Sequence, residues 1–185
     1  MMTVKNLALG ALLLGTGVAA GAAYVQDDGP PRPKELDVFE RSTGTWDCDM
    51  TWWMMGQEMS GMKGTDEVEW ALGNRWIQAD FSMEYMGMPF QGRSMMSWDE
   101  QEEKYIQIWM DAMSGHPAIS FGTWDEATKT LTSRGLGIDS MTGEETETKS
   151  VTKVHGPDAH SFTMYQVDEE GEETKTMHIE YKRKK

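Results

Sequence analysis

The sequence holds one cysteine, Cys48, in 185 residues. A single thiol cannot close an internal disulfide, so the fold must rest on a packed core. Cys48 alternates with Trp46 and Met50, which predicts a buried, inert thiol. Basic residues are also scarce, 17 Lys and Arg against 31 Asp and Glu, for a net charge of −14. Such a surface repels phosphates and anionic lipid, which argues against nucleic acid as a partner and favours solubility. There are four histidines, and none forms a His-x-His or His-x-x-x-His pair. A metal site needs three or four converging ligands, so neither a metal nor a cofactor is expected. Ser94 and Ser97 have no nucleophile motif around them. Beyond residue 23 no segment is long or apolar enough to span a bilayer.

The apolar run that does exist is N-terminal. Residues 7–23 hold only Leu, Ala, Gly, Val and one Thr, preceded by Lys5 and closed by Ala20-Gly21-Ala22. A charged start, a short apolar stretch and small residues at its exit predict a secretory signal peptide over 1–22. The expected location is therefore periplasmic or secreted, with no stable membrane span after cleavage. Removing the signal removes Lys5 and no acid, so the net becomes 16 − 31 = −15. Residues 23–33 read as a linker, broken by Gly29 and three prolines. A single domain is expected over 34–185, long enough for one core of ordinary size.

That domain reads as all-β. Pro33 opens a short helix over about 34–42, with Leu36 and Phe39 on its apolar side. From Thr45 onward the spacing changes to period two. Trp46, Cys48, Met50, Trp52 and Met54 share one parity; so do Val68, Trp70 and Leu72, and so do Ile77, Ala79, Phe81 and Met83. Such spacing places side chains on one face of a sheet. Further strands follow near 90–98, 104–113, 117–124, 129–138, 146–155, 160–167 and 173–182. Gly73-Asn74 marks a tight turn, and the Trp98-Asp99 and Trp124-Asp125 loops repeat one polar turn chemistry. About ten short strands predict an antiparallel up-and-down meander that closes into a barrel. The basic tail Lys182-Arg183-Lys184-Lys185 is expected to end the last strand in solvent.

Gly44-Thr45-Trp46 after a short helix resembles the lipocalin-like (calycin) plan. A wider match runs over about 35–182. It takes in Leu72-Gly73-Asn74-Arg75-Trp76, Met86-Gly87-Met88-Pro89-Phe90, Tyr105 to Trp109 and Asp111, Gly122 to Leu131, and Ser150-Val151-Thr152. Together these resemble a bacterial family known as domain of unknown function 1579. The resemblance implies the barrel fold and no reaction.

Strand 104–113 is apolar on both faces, which predicts cover on both sides, with the helix or a partner outside. Tyr105, Trp109, Gln107 and Asp111 share one parity, and with Trp70, Phe81, Met83 and Arg93 they form the expected cavity lining. Methionine is abundant, 17 in the chain. It packs cores and adapts cavities to greasy ligands, and its thioether also suits Cu(I). The expected function is binding of a small apolar or amphipathic molecule in the barrel. The alternatives are a hydrolase or isomerase using Asp111 with Arg93 or a histidine, and a structural module docking through an outer face. His155 and His160 flank Gly156-Pro157 and read as exposed turn residues.

Overall fold

The computed structural model describes residues 31–138 and 143–185. The expected signal peptide over 1–22 and most of the expected linker lie outside the described residues. Ten strands follow one another: β1 (Gly44–Met54), β2 (Gln57–Ala71), β3 (Trp76–Tyr85), β4 (Met88–Asp99), β5 (Lys104–Asp111), β6 (Ser114–Asp125), β7 (Thr130–Ile138), β8 (Glu145–Gly156), β9 (Ala159–Val167) and β10 (Glu173–Arg183). Each pairs antiparallel with the next, and β1 pairs with β10, so the meander closes into a barrel. Closure leaves no free sheet edge among these strands.

The helix is shorter and tighter than expected, a 3₁₀ turn over Lys34–Phe39. Leu36 N–H donates to Pro33 O and Glu40 N–H to Asp37 O, the i to i+3 pattern of that helix. It does not cover the outside of β5. Leu36 (0% exposed) and Phe39 (6%) insert instead into one end of the barrel, against Ile77, Tyr105 and Leu131. Phe39 meets Tyr105 edge-on at 5.4 Å and Trp124 at 5.6 Å. Tyr105 O–H donates to Glu35 O at 2.7 Å, and burial pushes its phenol up to about 12. Each large apolar side chain buried this way contributes about 1.5–3 kcal/mol. The helix is thus a floor.

A cationic clasp holds that floor. The Arg183 guanidinium lies 4.2 Å over the Trp46 ring and donates to Thr43 O, Arg41 O and Asp158 Oδ1. The basic tail is therefore not wholly solvated, because the closing strand needs a donor for the carbonyls that precede β1. Arg75 does similar work, donating to Pro31 O and Glu100. A second apolar cluster, built on Trp46, Cys48, Met50, Phe81, Met83, Ile179 and Tyr181, fills the side of the barrel made by β1, β3 and β10.

β2 begins at Gln57, well before Val68, where the alternation starts. Residues 57–65 are polar or glycine apart from Met59 and Met62, whose three-residue spacing breaks period two, and Gly61 has a φ of +81° opposite a register shift in β1 between Met50 and Trp52. That bulge hides the strand from a period-two reading. Leu72, expected to face inward with Val68 and Trp70, is 70% exposed in the β2–β3 turn with a φ of +49°.

Candidate functional site

The strand register decides what faces the lumen. One row of cross-strand partners runs Trp70–Ile77–Met96–Gln107–Ser120–Gly135–Thr148–Gln166. It starts apolar on β2–β4 and turns polar from β5 onward. A neighbouring row runs Tyr105–Gly122–Ser133–Ser150–Met164. The wall formed by β6, β7 and β8 is thus lined by small, polar side chains. Eight strands already leave room for side chains to fill a barrel, and ten give a wider one. Serine, threonine and glycine on three successive strands do not reach across it. Gln107, Ser120, Thr148, Ser150 and Met164 accordingly stay half-buried, in contrast with the packed β1 side.

Polar groups here bond weakly or to each other. Ser120 O–H donates to Gln107 Oε1 at 3.5 Å, and the Gln107 amide donates to Met96 Sδ at 3.7 Å. Among the described residues, three buried side-chain polar atoms have no hydrogen-bond partner: Trp52 Nε1, Asp66 Oδ1 and Ser133 Oγ. All three belong to residues on the lumen face of their strands. Asp66 is the ionisable one, 9% exposed, facing inward between its register partners Trp46 and Phe81. Burial, with the charge of Asp80 adding to it, pushes the Asp66 carboxyl up to about 6.

The residues predicted to line the cavity divide four ways. Trp70 and Tyr105 pack on the helical floor, and Trp70 also sits under the Arg32 guanidinium at 4.6 Å. Phe81 and Met83 belong to the packed β1 side. Gln107 and Trp109 face the lumen, with the Trp109 ring packed against Gly92, where a Cβ would meet Cη2 at 2.2 Å. Arg93 and Asp111 depart from expectation. Arg93 pairs in register with Asp80 on the outer wall and bonds its carboxylate at 2.5 Å. Asp111 is spent at a turn: Oδ1 accepts from Met113 N–H and Ser114 N–H, and Oδ2 accepts from Trp109 Nε1–H at 2.9 Å. Asp99 and Asp125 cap their turns in the same way.

Histidine placement also differs from expectation. His155 is an exposed residue bonded to Ser161 at 2.8 Å. His160 points inward, stacked 4.2 Å from Tyr181 and edge-on to Trp46 at 4.5 Å. Burial, helped by Arg183 and His155, pulls His160 down to about 4. His178 lies outside, between Thr163 and Glu180. Burial pushes the Cys48 thiol far up, and nearby acids add to this, so it is a poor nucleophile. Among the described residues, no three His, Cys, Asp or Glu side chains converge as metal ligands.

The end opposite the helix is the mouth, and methionine crowds it. Met55 and Met86 occupy the turns β1–β2 and β3–β4, 79% and 83% exposed, with φ of +53° and +52°. Met113 in the β5–β6 turn is 78% exposed, Met54 and Met88 lie beside the first two turns, and exposed Ile138 ends β7 at the same end. Non-glycine residues at positive φ cost about 1 kcal/mol, and here they also expose apolar surface. Outside, Ile106, Ile108, Ile119 and Leu136 form an apolar stripe on β5–β7, the outer face of the two-faced strand. Two outer depressions, of about 530 and 410 Å³, are open and lined mainly by charged and polar residues.

These features define a ten-stranded antiparallel barrel with a floor, a half-packed interior and an apolar mouth. Residues 33–183 match the profile of the family described as "Protein of unknown function (DUF1579)". The chain belongs to that family. The crystal structure of Rv2717c from M. tuberculosis is similar, with a TM-score of 0.60 at 12% identity over 84% of this chain and 100% of that one. This likeness concerns the fold. No curated protein matches.

Proposed function

We propose that this chain is an exported binding protein, periplasmic or secreted, that holds one small amphipathic molecule in its barrel lumen. The polar, small-residue wall of β6–β8 facing a packed apolar wall carries this reading. Such a space suits a molecule with an apolar body and a few polar atoms. The helical floor gives the space one open end, and flexible thioethers at the mouth suit passage of greasy groups. Export rests on the N-terminal sequence alone. The supporting role of Asp111 at a turn weakens the hydrolase alternative.

The test uses 1-aminoanthracene as a fluorescent probe, with the chain purified from an exported preparation. Saturable binding near one probe per chain is expected. Ser150→Trp, which fills the lumen from the small-residue wall, should abolish it while the far-UV spectrum stays unchanged. Equal binding by this variant would place the probe outside the lumen and refute the reading. An intact mass still carrying residues 1–22 would refute processing of the signal.

A further inference from the structure

We propose that Asp66 is the anchor for a protonated nitrogen, so that the lumen selects amphiphiles with a basic head over those with a neutral or acidic one. This rests on the lumen-binding reading and sharpens it to a ligand class. Three observations support it. Asp66 is nine-tenths buried, yet its Oδ1 has no hydrogen-bond partner among the described residues. Buried carboxylates in folded proteins are paired or hydrogen-bonded, since an uncompensated charge away from water is costly. Among the described residues no lysine or arginine pairs with it: Lys63 on the same strand pairs with Asp49 outside, and Arg93, two strands on, is held by Asp80 on the outer wall. Finally, its surroundings on the neighbouring strands are apolar, because the register places Phe81 and then Gly92 next to Asp66, and the Trp109 ring packs against that glycine.

The groups around Asp66 strengthen the charge preference. Cys48 on β1 and Tyr181 on β10 are buried and neutral, and both feel the Asp66 charge. His160 on β9, stacked on Tyr181, is held neutral by burial. Asp80 on β3 adds negative potential through the wall. No cation in this group competes with one brought by a ligand. Arg183, over the Trp46 ring, is already bonded to the Thr43, Arg41 and Pro157 carbonyls and to Asp158, so a carboxylate or phosphate head would meet the Asp66 charge without a free cation to offset it.

The experiment compares decylamine, decanol and decanoate, each below its micelle concentration, by displacement of 1-aminoanthracene from the wild-type chain and from Asp66→Asn. Decylamine should displace best from the wild type. Asp66→Asn should weaken decylamine roughly 10- to 100-fold, the loss expected for one charge-assisted bond, and leave decanol within about twofold. A second readout needs no variant. Decylamine affinity for the wild type should rise about tenfold from pH 5 to pH 8 as Asp66 ionises, with decanol flat. Equal displacement by all three heads, or an unchanged preference in Asp66→Asn, would overturn the anchor while leaving lumen binding intact. Failure of the probe and all three amphiphiles to bind the wild type would overturn both.

Discussion

Asp66→Asn should make the folded barrel more stable at neutral pH, even as it weakens binding of a basic ligand. The wild-type carboxyl titrates near 6 in the barrel and near its ordinary value of 3.8 in the unfolded chain. The folded state therefore holds a proton that the unfolded state releases first. Below about pH 4 both states are protonated and the group contributes nothing. Between about pH 4 and 6 stability falls, and above 6 the full penalty is present. Raising the carboxyl from 3.8 to about 6 costs the folded state about 3 kcal/mol at neutral pH. Asparagine keeps the shape and removes the charge, but leaves an amide with unpaired atoms at a cost of about 1–2 kcal/mol. The net gain is about 1–2 kcal/mol at pH 7.5 and turns into a net loss of about 1 kcal/mol at pH 4, where the wild-type penalty has nearly vanished. For a barrel of this size that is a rise of about 2–8 °C in Tm at neutral pH. Thermal unfolding followed by circular dichroism at pH 4, 5, 6 and 7.5 reads the difference directly. A Tm difference that stays constant across this range would show that Asp66 is not an uncompensated acid, and would refute the physical basis of the anchor.

His160 has the opposite pH dependence. The unfolded chain takes up its proton near 6.5 and the folded one only near 4, so stability is full above about 6.5 and falls by about 3 kcal/mol as pH drops to 4. Urea unfolding of His160→Phe should show that acid loss reduced by a comparable amount, and an unchanged slope between pH 7 and 4.5 would contradict this. Leu36→Ala removes the most buried side chain of the floor and should cost about 2–5 kcal/mol in urea unfolding; a loss below about 1 kcal/mol would mean the helix does not close the barrel. Asp111→Ala strips two turn bonds and the Trp109 indole bond, and should cost about 1–3 kcal/mol and red-shift tryptophan emission, leaving the decylamine-to-decanol preference unchanged.

Period two made the barrel legible because most of its strands announce their inner face by hydrophobicity. Trp46, Cys48 and Met50 do so on β1, as do Ile77, Phe81 and Met83 on β3, and all of them are buried. The same signal fails where the inner face is not apolar. On β8 the inward residues are Thr146, Thr148, Ser150 and Thr152, alternating with Glu145, Glu147, Lys149, Val151 and Lys153, of which four are charged. Polar against charged carries little contrast, so the strand shows and its inner face does not. Asp111 misleads for a different reason. Its parity with Trp109 is correct, but it is the last residue of its strand, where the carboxylate satisfies turn amides as Asp99 and Asp125 do. The Trp-Asp pairs at 98–99 and 124–125 already carried that chemistry.

Asp66 escapes a sequence reading for a third reason. It shares parity with Val68 and Trp70, so the alternation itself assigns it to the lumen face. Hydrophobic periodicity passes over it because charge is expected to mark the solvent side. The reverse criterion is stronger. Once a strand's parity is fixed by its apolar members, a charged residue on that same parity violates the burial rule, and violations of local rules concentrate at functional sites. Among the described residues, this criterion separates acids that face outward, such as Asp49 beside Lys63 and Asp80 beside Arg93, from Asp66 and Asp111 on the inner parity, and the turn amides bonded by Asp111 set it apart from Asp66, whose Oδ1 has no partner. The contrast between Asp80 and Asp66 is direct: they lie on adjacent strands one register step apart, and the paired carboxyl is pulled below its ordinary value while the unpaired one is pushed above it. That opposition comes from which side of the wall each faces, and it makes position 66 the place where a lumen ligand would be felt most strongly.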